Sequence, residues 1–442
     1  MTTSGRRGST AAAATRRYFT GDTRVWQAGG EGTCVTSAEE RDEVTRLVIV
    51  ADDLTGAADS AALMTRRGPT AVVTEAGGDW SRDVIVSVDT DSRHCEPDVA
   101  AARVAAAARQ ARQLGAEVFK KVDSTLRGNI AAELRAVAEA LAVDGVRPLV
   151  VLAPAFPALG RTTVHGVVHV DGAALAAPGI DGDVAALLQR GGLRTRRLGV
   201  EGPAHVERLA TAFDRAQHAG LDAVVVDGET DEQLRRVVDA SRLTRSPVLL
   251  AGSGGLARPL AESQRTSLTD RSAAPLEAAR DLGPELVVVG SHAEQARAQR
   301  QRLVAAGIAE VLLSEREEET TSAVRRALLA GPVLLSPDPA RPVVRDRSAR
   351  LAQALSRVAA GALDRAGTLV VTGGETARAV LVAAGASRLV VLGEREPGIV
   401  HSFAPALGLH VVTKAGAFGD ADALLRCLAG REAARQPEGA DT

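Results

Sequence analysis

The sequence repeats one pattern along most of its length: a short apolar run, a loop of small or polar residues, and a stretch with helical spacing. "RLVIVADD" is the first such run, and "DVIVSVDTDSR" and "EVFKKVDS" follow it. This alternation is typical of α/β proteins, in which helices connect parallel strands. We therefore predict an α/β fold.

A polar stretch near the middle interrupts the pattern. Residues 263–284 lack a strand-like run and contain prolines, as interdomain connections often do. The pattern starts again with "ELVVVG" at Glu285. We predict two Rossmann-like lobes with mainly parallel sheets and a cleft between them. The predicted ranges are a disordered extension at 1–45, a first lobe at 46–262, the connection at 263–284, a second lobe at 285–430 and a tail at 431–442.

Composition argues against several classes of partner. The net charge is -2 and aromatic residues make up 2% of the chain, so neither a broad basic face nor a stacking surface for nucleic acid is expected. No apolar run approaches the roughly 20 residues that a membrane helix needs. The widely spaced Cys34, Cys95 and Cys427 form no metal or redox motif. We expect a cytoplasmic protein without nucleic-acid or membrane partners.

In an open parallel sheet, ligands bind beyond the carboxyl ends of the strands, so the residues after each apolar run are the candidates for a site. Asp52 and Asp53 follow the first run and precede a small-residue turn, "TGA". Such carboxylates can bind hydroxyls, hold Mg²⁺ or act as a base. We expect one of the two to cap the next helix and the other to serve a ligand.

The next two loops are also polar. Asp89, Asp91, Ser92 and Arg93 follow the second run, where Arg93 either binds a planar anion bidentately or pairs with Asp91. In the third apolar run, "EVFKKVDS", the alternation of side chains along a strand sends Lys120 and Lys121 to opposite faces of the sheet. Burying these lysines is unfavourable without a partner, which favours a functional role. Asp123, Ser124 and Arg127 then crowd the turn into a helix.

Three glycine loops in the second half suit phosphate groups: "VVGSHAE", "VVTGGETA" and "VVTKAGAFGDAD". Each places backbone amides at a strand-to-helix turn, where an anion is favoured. Only the last carries a cation, Lys414, and its glycines include Gly416 and Gly419. Glycine loops are also ordinary connections in a parallel sheet, but three together favour a nucleotide.

Two other motifs are weaker. "AGSGGLA" at Gly252 partly fits a dinucleotide fingerprint but lacks the acidic residue expected about 20 positions later. Alone, it is weak evidence for an NAD-binding site. His165 and His169 have no third ligand nearby in sequence, so a metal site there is not expected.

Six segments in order, "VADDLTGAAD", "KKVDSTLRGNIAAEL", "APAFPALGRTTVHG", "GSGGLA", "TGGETA" and "KAGAFGDAD", resemble the four-carbon acid sugar kinase family over about residues 46–428. The resemblance implies a two-domain enzyme that phosphorylates threonate, erythronate or an oxo-tetronate with ATP, with a sugar-acid-binding domain at 46–262 and a nucleotide-binding domain at 285–430. Mg²⁺ is expected to help neutralise the triphosphate. The alternatives are an NAD-dependent sugar-acid dehydrogenase and a non-catalytic sugar-acid-binding or sensing protein. Metal ligands and the oligomeric state stay open, although a homo-oligomer is compatible with it.

The resemblance also implies roles for individual residues. Asp52, Arg93 and the stretch Lys121, Val122, Asp123 and Ser124 match substrate-binding positions, to which we add Asp53 and Arg127 from the loops above. The nucleotide would be bound by Ser291, Gly373, Gly374, Glu375, Thr376 and Gly416, with Gly398, Lys414 and Gly419 close to it. Either Asp123 or Asp52 is predicted to take the hydroxyl proton.

Overall fold

The computed structural model describes residues 46–74, 78–80, 83–199, 205–263, 283–291, 293–339, 348–416 and 418–429. The predicted extension at 1–45, most of the connection at 263–284 and the tail at 431–442 lie outside these ranges. Among the described residues, no helix is both long and apolar enough to cross a bilayer.

The first half, residues 46–263, alternates strands and helices as the sequence pattern predicts. Its elements are β1 (Leu47–Ala51), α1 (Leu54–Met64), β2 (Thr70–Val73), β3 (Ile85–Asp89), α2 (Pro97–Gln113), β4 (Glu117–Lys121), α3 (Ile130–Ala140), β5 (Leu149–Ala153), β6 (Arg161–Val164), β7 (Val167–Val170), β8 (Ala173–Ala174), α4 (Val184–Arg190), β9 (Thr195–Leu198), α5 (His205–His218), β10 (Ala223–Val226), α6 (Asp231–Leu243), β11 (Val248–Gly252) and α7 (Gly254–Ser263).

The second half, residues 283–429, begins a new series. Its elements are β12 (Glu285–Val289), α8 (Glu294–Ala305), β13 (Ala309–Leu312), α9 (Glu317–Leu328), β14 (Val333–Ser336), α10 (Ser348–Ala360), β15 (Thr368–Thr372), α11 (Gly374–Ala383), β16 (Arg388–Glu396), β17 (Ile399–Ala404), β18 (Leu409–Lys414) and α12 (Ala423–Ala429).

The strands form one large sheet in the order β13-β14-β12-β15-β18-β17-β16-β2-β3-β1-β4-β11-β5-β10-β9, beside a small sheet β6-β7-β8. Pairing is parallel from β13 to β18 and again from β2 to β9. The prediction of an α/β fold with mainly parallel pairing is confirmed.

The junction between the halves is antiparallel, which the sequence analysis did not anticipate. β17 pairs with β18 and β16, and β16 pairs with β2, so the two parallel regions belong to one sheet. Arg388 at the start of β16 binds the buried Asp83 with both terminal nitrogens, at 2.5 and 2.6 Å. The halves are therefore joined by backbone pairing and a bidentate ion pair as well as by the chain itself.

Apolar side chains cover both faces of the sheet. Along β1, Val48 and Val50 belong to one buried cluster, while Leu47 and Ile49 belong to another. Successive side chains of a strand point to opposite faces, so β1 is buried on both sides, as strands of parallel sheets usually are. This explains why β1 is an unbroken apolar run.

The glycines of "AGSGGLA" serve close packing. A methyl group on Gly252 would lie 2.5 Å from the carbonyl oxygen of Ala153, and one on Gly255 would lie 2.3 Å from that of Ala155. The Ser253 hydroxyl donates a hydrogen bond to Ala155, 2.6 Å away. The motif lets the start of α7 approach the end of β5, which accounts for its glycines without a dinucleotide.

Gly255→Ala should destabilise the protein, because the added methyl group would overlap a backbone oxygen that cannot move independently. We expect a loss of roughly 1–3 kcal/mol in the free energy of unfolding, measured by urea denaturation. Gly199→Ala is the matched control, since its methyl group meets no atom within 4 Å. Equal stability of the two variants would contradict this assignment.

Candidate active site

A cavity of about 460 Å³ opens where the two halves meet, a size typical of small-molecule sites. Helix α1 packs against α11, β16 and β17, so the loops after β1 and β4 face those after β12 and β15. The cavity wall includes most of the predicted site residues: Asp52, Asp53, Arg93, Lys121, Asp123, Ser124, Arg127, Ser291, Gly373, Gly374, Glu375, Thr376, Gly398 and Gly416.

Arg93 lies at the centre of a cluster of three carboxylates. Its guanidinium donates two hydrogen bonds to Asp52, at 2.7 and 2.9 Å, and one to Asp53, at 2.7 Å. Asp123 is 3.7 Å away. Asp52 and Arg93 have side chains only 3% and 10% exposed, so these charges depend on one another for compensation.

The arginines lower the basicity of two of these carboxylates. Burial alone would raise the pKa of Asp52, but the charge and hydrogen bonds of Arg93 outweigh it and hold the pKa below its ordinary value. Burial likewise opposes ionisation of Asp123, yet hydrogen bonds from Arg127, at 2.7 and 2.9 Å, lower its pKa strongly. Both groups are carboxylates at neutral pH.

Asp53 is the capping residue of the pair. Its carboxylate accepts hydrogen bonds from the Gly56 amide, at 2.9 Å, and from the Thr55 hydroxyl, at 2.7 Å. A side chain on Gly56 would lie 2.7 Å from Asp53 Oδ1 and 3.1 Å from Lys121 Nζ. The glycine therefore leaves room for both the cap and the lysine.

The two lysines of β4 have different environments. Lys120 is fully buried and pairs with Glu133 at 2.8 Å, while the other oxygen of Glu133 accepts a hydrogen bond from Ser92, 2.6 Å away. This network fixes the loop that carries Arg93. Lys121 lines the cavity and donates to the Val122 carbonyl at 2.9 Å.

Tight glycine turns surround the amino end of α11. Gly373 has φ +97, a conformation that other residues rarely adopt. A methyl group on Gly290 would lie 2.0 Å from Thr376 Oγ1, and one on Gly416 would lie 2.1 Å from Ser291 Oγ. Three loops thus converge on one helix amino terminus, an arrangement that favours a phosphate.

Three predicted site residues, all described, lie off the cavity wall. Val122 belongs to the hydrophobic core, and the carbonyl of Gly419 is bound by Gln299 at 3.2 Å. Lys414 is fully buried and donates to the carbonyls of Ala415 and Phe418, at 2.7 and 2.8 Å. Burial lowers its pKa to about 8. Its contacts shape the last glycine loop and differ from the phosphate contact predicted for it.

The described residues contain no group of three or more His, Cys, Asp or Glu side chains arranged to hold a metal ion. Two carboxylates of the cavity wall nevertheless lie near the glycine turns at the start of α11. A methyl group on Gly374 would lie 3.2 Å from Asp53 Oδ2, and Glu375 follows in the first turn of α11. This fits Mg²⁺, which usually binds one or two carboxylates and otherwise phosphates and water.

Several cavity residues were missed by the sequence analysis, namely Asp59, Arg258, Arg378 and Glu394. Arg378 of α11 donates to Asp89, at the end of β3, and to the carbonyl of Thr74, at 2.7 and 2.9 Å. It links α11, in the second half, to the loop before Arg93. Asp59 lies three residues after Gly56 on the same helix, and residues at this spacing share a helix face. The spacing could therefore have identified Asp59 as a cavity residue.

Comparison with known proteins identifies the family. Residues 47–260 match the family described as the sugar-binding N-terminal domain, and residues 286–424 match the nucleotide-binding C-terminal domain. The chain is 35% identical to a D-threonate kinase of Cupriavidus necator, over 88% of this chain and 99% of that protein. The chain belongs to the four-carbon acid sugar kinase family. The prediction of a kinase is thereby confirmed.

Other members of the four-carbon acid sugar kinase family show a similar extent of likeness. A D-threonate kinase of Salmonella typhimurium is 31% identical over 87% of this chain and 97% of its own length. A 3-oxo-tetronate kinase of Cupriavidus necator is 30% identical over 84% and 94%. A crystal structure of a Salmonella typhimurium LT2 protein, 22% identical, covers 86% of this chain and 98% of its own with a TM-score of 0.70, which supports the fold.

Asp89 should make stability depend on pH. Its side chain is fully buried, and burial raises its pKa to about 7 despite Arg378. Between pH 4 and pH 7 the folded state therefore holds a proton that the unfolded state releases, so stability falls as pH rises through this window. An Asn side chain at this position has no carboxyl group to titrate, so this pH dependence should be absent from Asp89→Asn.

We expect the difference in unfolding midpoint, wild type minus Asp89→Asn, to decrease between pH 5 and pH 8 in thermal unfolding of the ligand-free protein. A difference that stays constant over this interval would show that Asp89 does not titrate there. The exposed Asp98→Asn controls for the general effect of removing one carboxylate.

Proposed function

We propose that this kinase transfers the γ-phosphoryl group of ATP to a hydroxyl of a four-carbon sugar acid, with D-threonate as the first candidate. The observation that carries the proposal is the shared cavity, which the Arg93 carboxylate cluster enters from one half and the amino end of α11 from the other. Three D-threonate kinases resemble the chain over at least 86% of its length, which ranks this acid ahead of erythronate and the oxo-tetronates.

The first half would bind the sugar acid. Asp52 and Asp123 are carboxylates whose oxygens can accept hydrogen bonds from several hydroxyls. Lys121 and Arg93 supply positive charge for the substrate carboxylate, together with Arg161, which donates to Ser124 at 2.5 Å. A small acid with several hydroxyls matches this mixture of fixed carboxylates and cations.

The second half would bind ATP through the turns around Gly373, Gly374, Thr376, Ser291 and Gly416. Phosphoryl transfer depends mainly on alignment of the reactants and on neutralisation of charge. Mg²⁺ would supply part of that neutralisation, and Asp53 and Glu375 would be the residues that hold it. The amide groups at the start of α11 would orient the phosphates towards the sugar acid.

The proposal includes domain closure, although the shared sheet restricts how the halves can move. Closure about the antiparallel β16–β2 junction would keep the sheet intact while it excludes water from the transferred phosphoryl group. A homo-oligomer and a cytoplasmic location stay predictions.

Release of ADP from Mg-ATP, with mass detection of the product, tests the proposal on D-threonate, L-threonate, both erythronates and the 3-oxo acids. A phosphorylated acid would establish the reaction and its substrate. ATP binding without turnover on any acid would contradict the proposal and favour a sugar-acid-binding or sensing protein. Reduction of NAD with a sugar acid would favour the dehydrogenase alternative.

Two substitutions should separate the two ligands. Arg93→Lys keeps the charge but loses the bidentate contact, so KM for the sugar acid should rise roughly 10- to 100-fold, the effect of losing a charged hydrogen bond of about 1.5–3 kcal/mol. Gly373→Ala strains a turn with φ +97 and should raise KM for ATP instead. Steady-state kinetics with each substrate varied in turn would measure both.

A rise in both KM values for either variant would contradict this division of the cavity. Circular dichroism and thermal unfolding of both proteins would show whether a change reflects global unfolding, because Arg93 also compensates three carboxylates. Asp98→Asn, on the exposed first turn of α2, serves as the control that should retain wild-type kinetics.

A further inference from the structure

Asp59 differs from the other carboxylates of the cavity. It lies on α1, one turn beyond Gly56, and lines the cavity wall. Asp52 and Asp123 are held by arginines, and Asp53 caps α1. The Asp59 side chain has no hydrogen bond or ion pair with any residue that the structure describes, so its carboxylate oxygens remain available to a ligand.

The position of Asp59 lies between the regions proposed for the two substrates. Lys121 of β4 acts on it electrostatically from the sugar-acid side, and Glu394 of β16 acts on it from the nucleotide side. Glu394 in turn accepts a hydrogen bond from the Gly398 amide at 2.9 Å. The acceptor hydroxyl and the γ-phosphorus must meet in this part of the cavity, because each half binds one of the two ligands.

The charges around Asp59 come from every side of the cavity. Asp53 at the start of α1, Lys121 of β4 and Glu394 of β16 act on it electrostatically. Arg258 of α7 and Glu375 and Arg378 of α11 line the same cavity. The surrounding protein desolvates the carboxyl and, with Asp53 and Glu394, outweighs the opposing effect of Lys121, so the pKa of Asp59 is raised to about 7. A general base is most effective when its pKa lies near the working pH.

We propose that Asp59 is the proton acceptor of the phosphoryl transfer, which rests on the kinase function proposed above. The substrate hydroxyl oxygen forms a bond to the γ-phosphorus of ATP, the bond from that phosphorus to the bridging oxygen breaks, and ADP leaves. The hydroxyl proton passes to an Asp59 carboxylate oxygen and is later released to water. Asp52 and Asp123 then bind and orient hydroxyls without accepting the proton.

Asp59→Asn tests the proposal with almost no change in shape. We expect kcat to fall roughly 10²- to 10⁴-fold, while KM for ATP and for the sugar acid changes far less. In the wild type, kcat/KM should decrease below about pH 7 with the loss of one proton-accepting group. This decrease is the acidic limb of the pH profile of kcat/KM, and it should be absent from Asp59→Asn.

The same measurements on Asp52→Asn and Asp123→Asn complete the comparison. These variants should raise KM for the sugar acid and keep the acidic limb. Asp98→Asn is the surface control. Thermal unfolding at pH 8 should show Asp59→Asn to be at least as stable as the wild type, because the desolvated charge of Asp59 is absent from it.

The outcomes are distinguishable. Loss of kcat together with loss of the acidic limb in Asp59→Asn alone would support the proposal. Near-wild-type kcat in Asp59→Asn, or an unchanged limb, would overturn it and leave the kinase function intact. A wild type that phosphorylates none of the sugar acids would overturn the proposed function and, with it, this role of Asp59.

Discussion

The cavity depends on a compact set of opposite charges at the amino end of α1. Arg93 joins Asp52, Asp53 and Asp123, which come from the ends of two different strands. Without the guanidinium, three carboxylates would repel one another in a partly buried space. The same arginine therefore holds the loops together and, with Arg127, keeps Asp52 and Asp123 ionised. Asp59, a cavity carboxyl left outside this set, has a raised pKa.

Helix α1 links that cluster to the second half of the protein. It is rich in small residues, and Ala57, Ala58 and Ala61 are completely buried, which lets neighbouring elements approach closely. The helix contacts β1 and β3 in its own half and β16, β17 and α11 in the other. Arg378 adds a polar link from α11 to Asp89, one strand away from Asp52. The regions proposed for the sugar acid and for the nucleotide are consequently connected by packing as well as by the shared sheet.

Much of the fold and cavity could be predicted from sequence, because long apolar runs identify buried parallel strands and their polar ends identify the site. The capping role of Asp53 also has a local signal in the sequence, because its carboxylate accepts a hydrogen bond from the Gly56 amide only three residues later. The short strand β2 and its pairing with β16 had no comparable signal, because the pairing joins segments more than 300 residues apart.

Side-chain partners were the least predictable feature. Lys414 lies at the start of a glycine loop whose sequence suits phosphate binding. In the structure, its ammonium group instead donates hydrogen bonds to backbone carbonyls. Arg93 had two interpretations in the sequence, a ligand contact or a structural partner of Asp91, and in the structure it pairs with Asp52 and Asp53. Such choices depend on distances between loops, which local pattern does not contain.

Hydrogen–deuterium exchange of the wild-type protein with each ligand alone would test most directly the claim that two halves of one cavity bind two different substrates. With D-threonate, the account predicts slower exchange in the loops around Asp52, Arg93 and Asp123. With a non-hydrolysable ATP analogue and Mg²⁺, it predicts slower exchange around Ser291, Gly374 and Gly416. Protection of the Gly252–Gly255 loop by the nucleotide, without protection at the start of α11, would contradict the account.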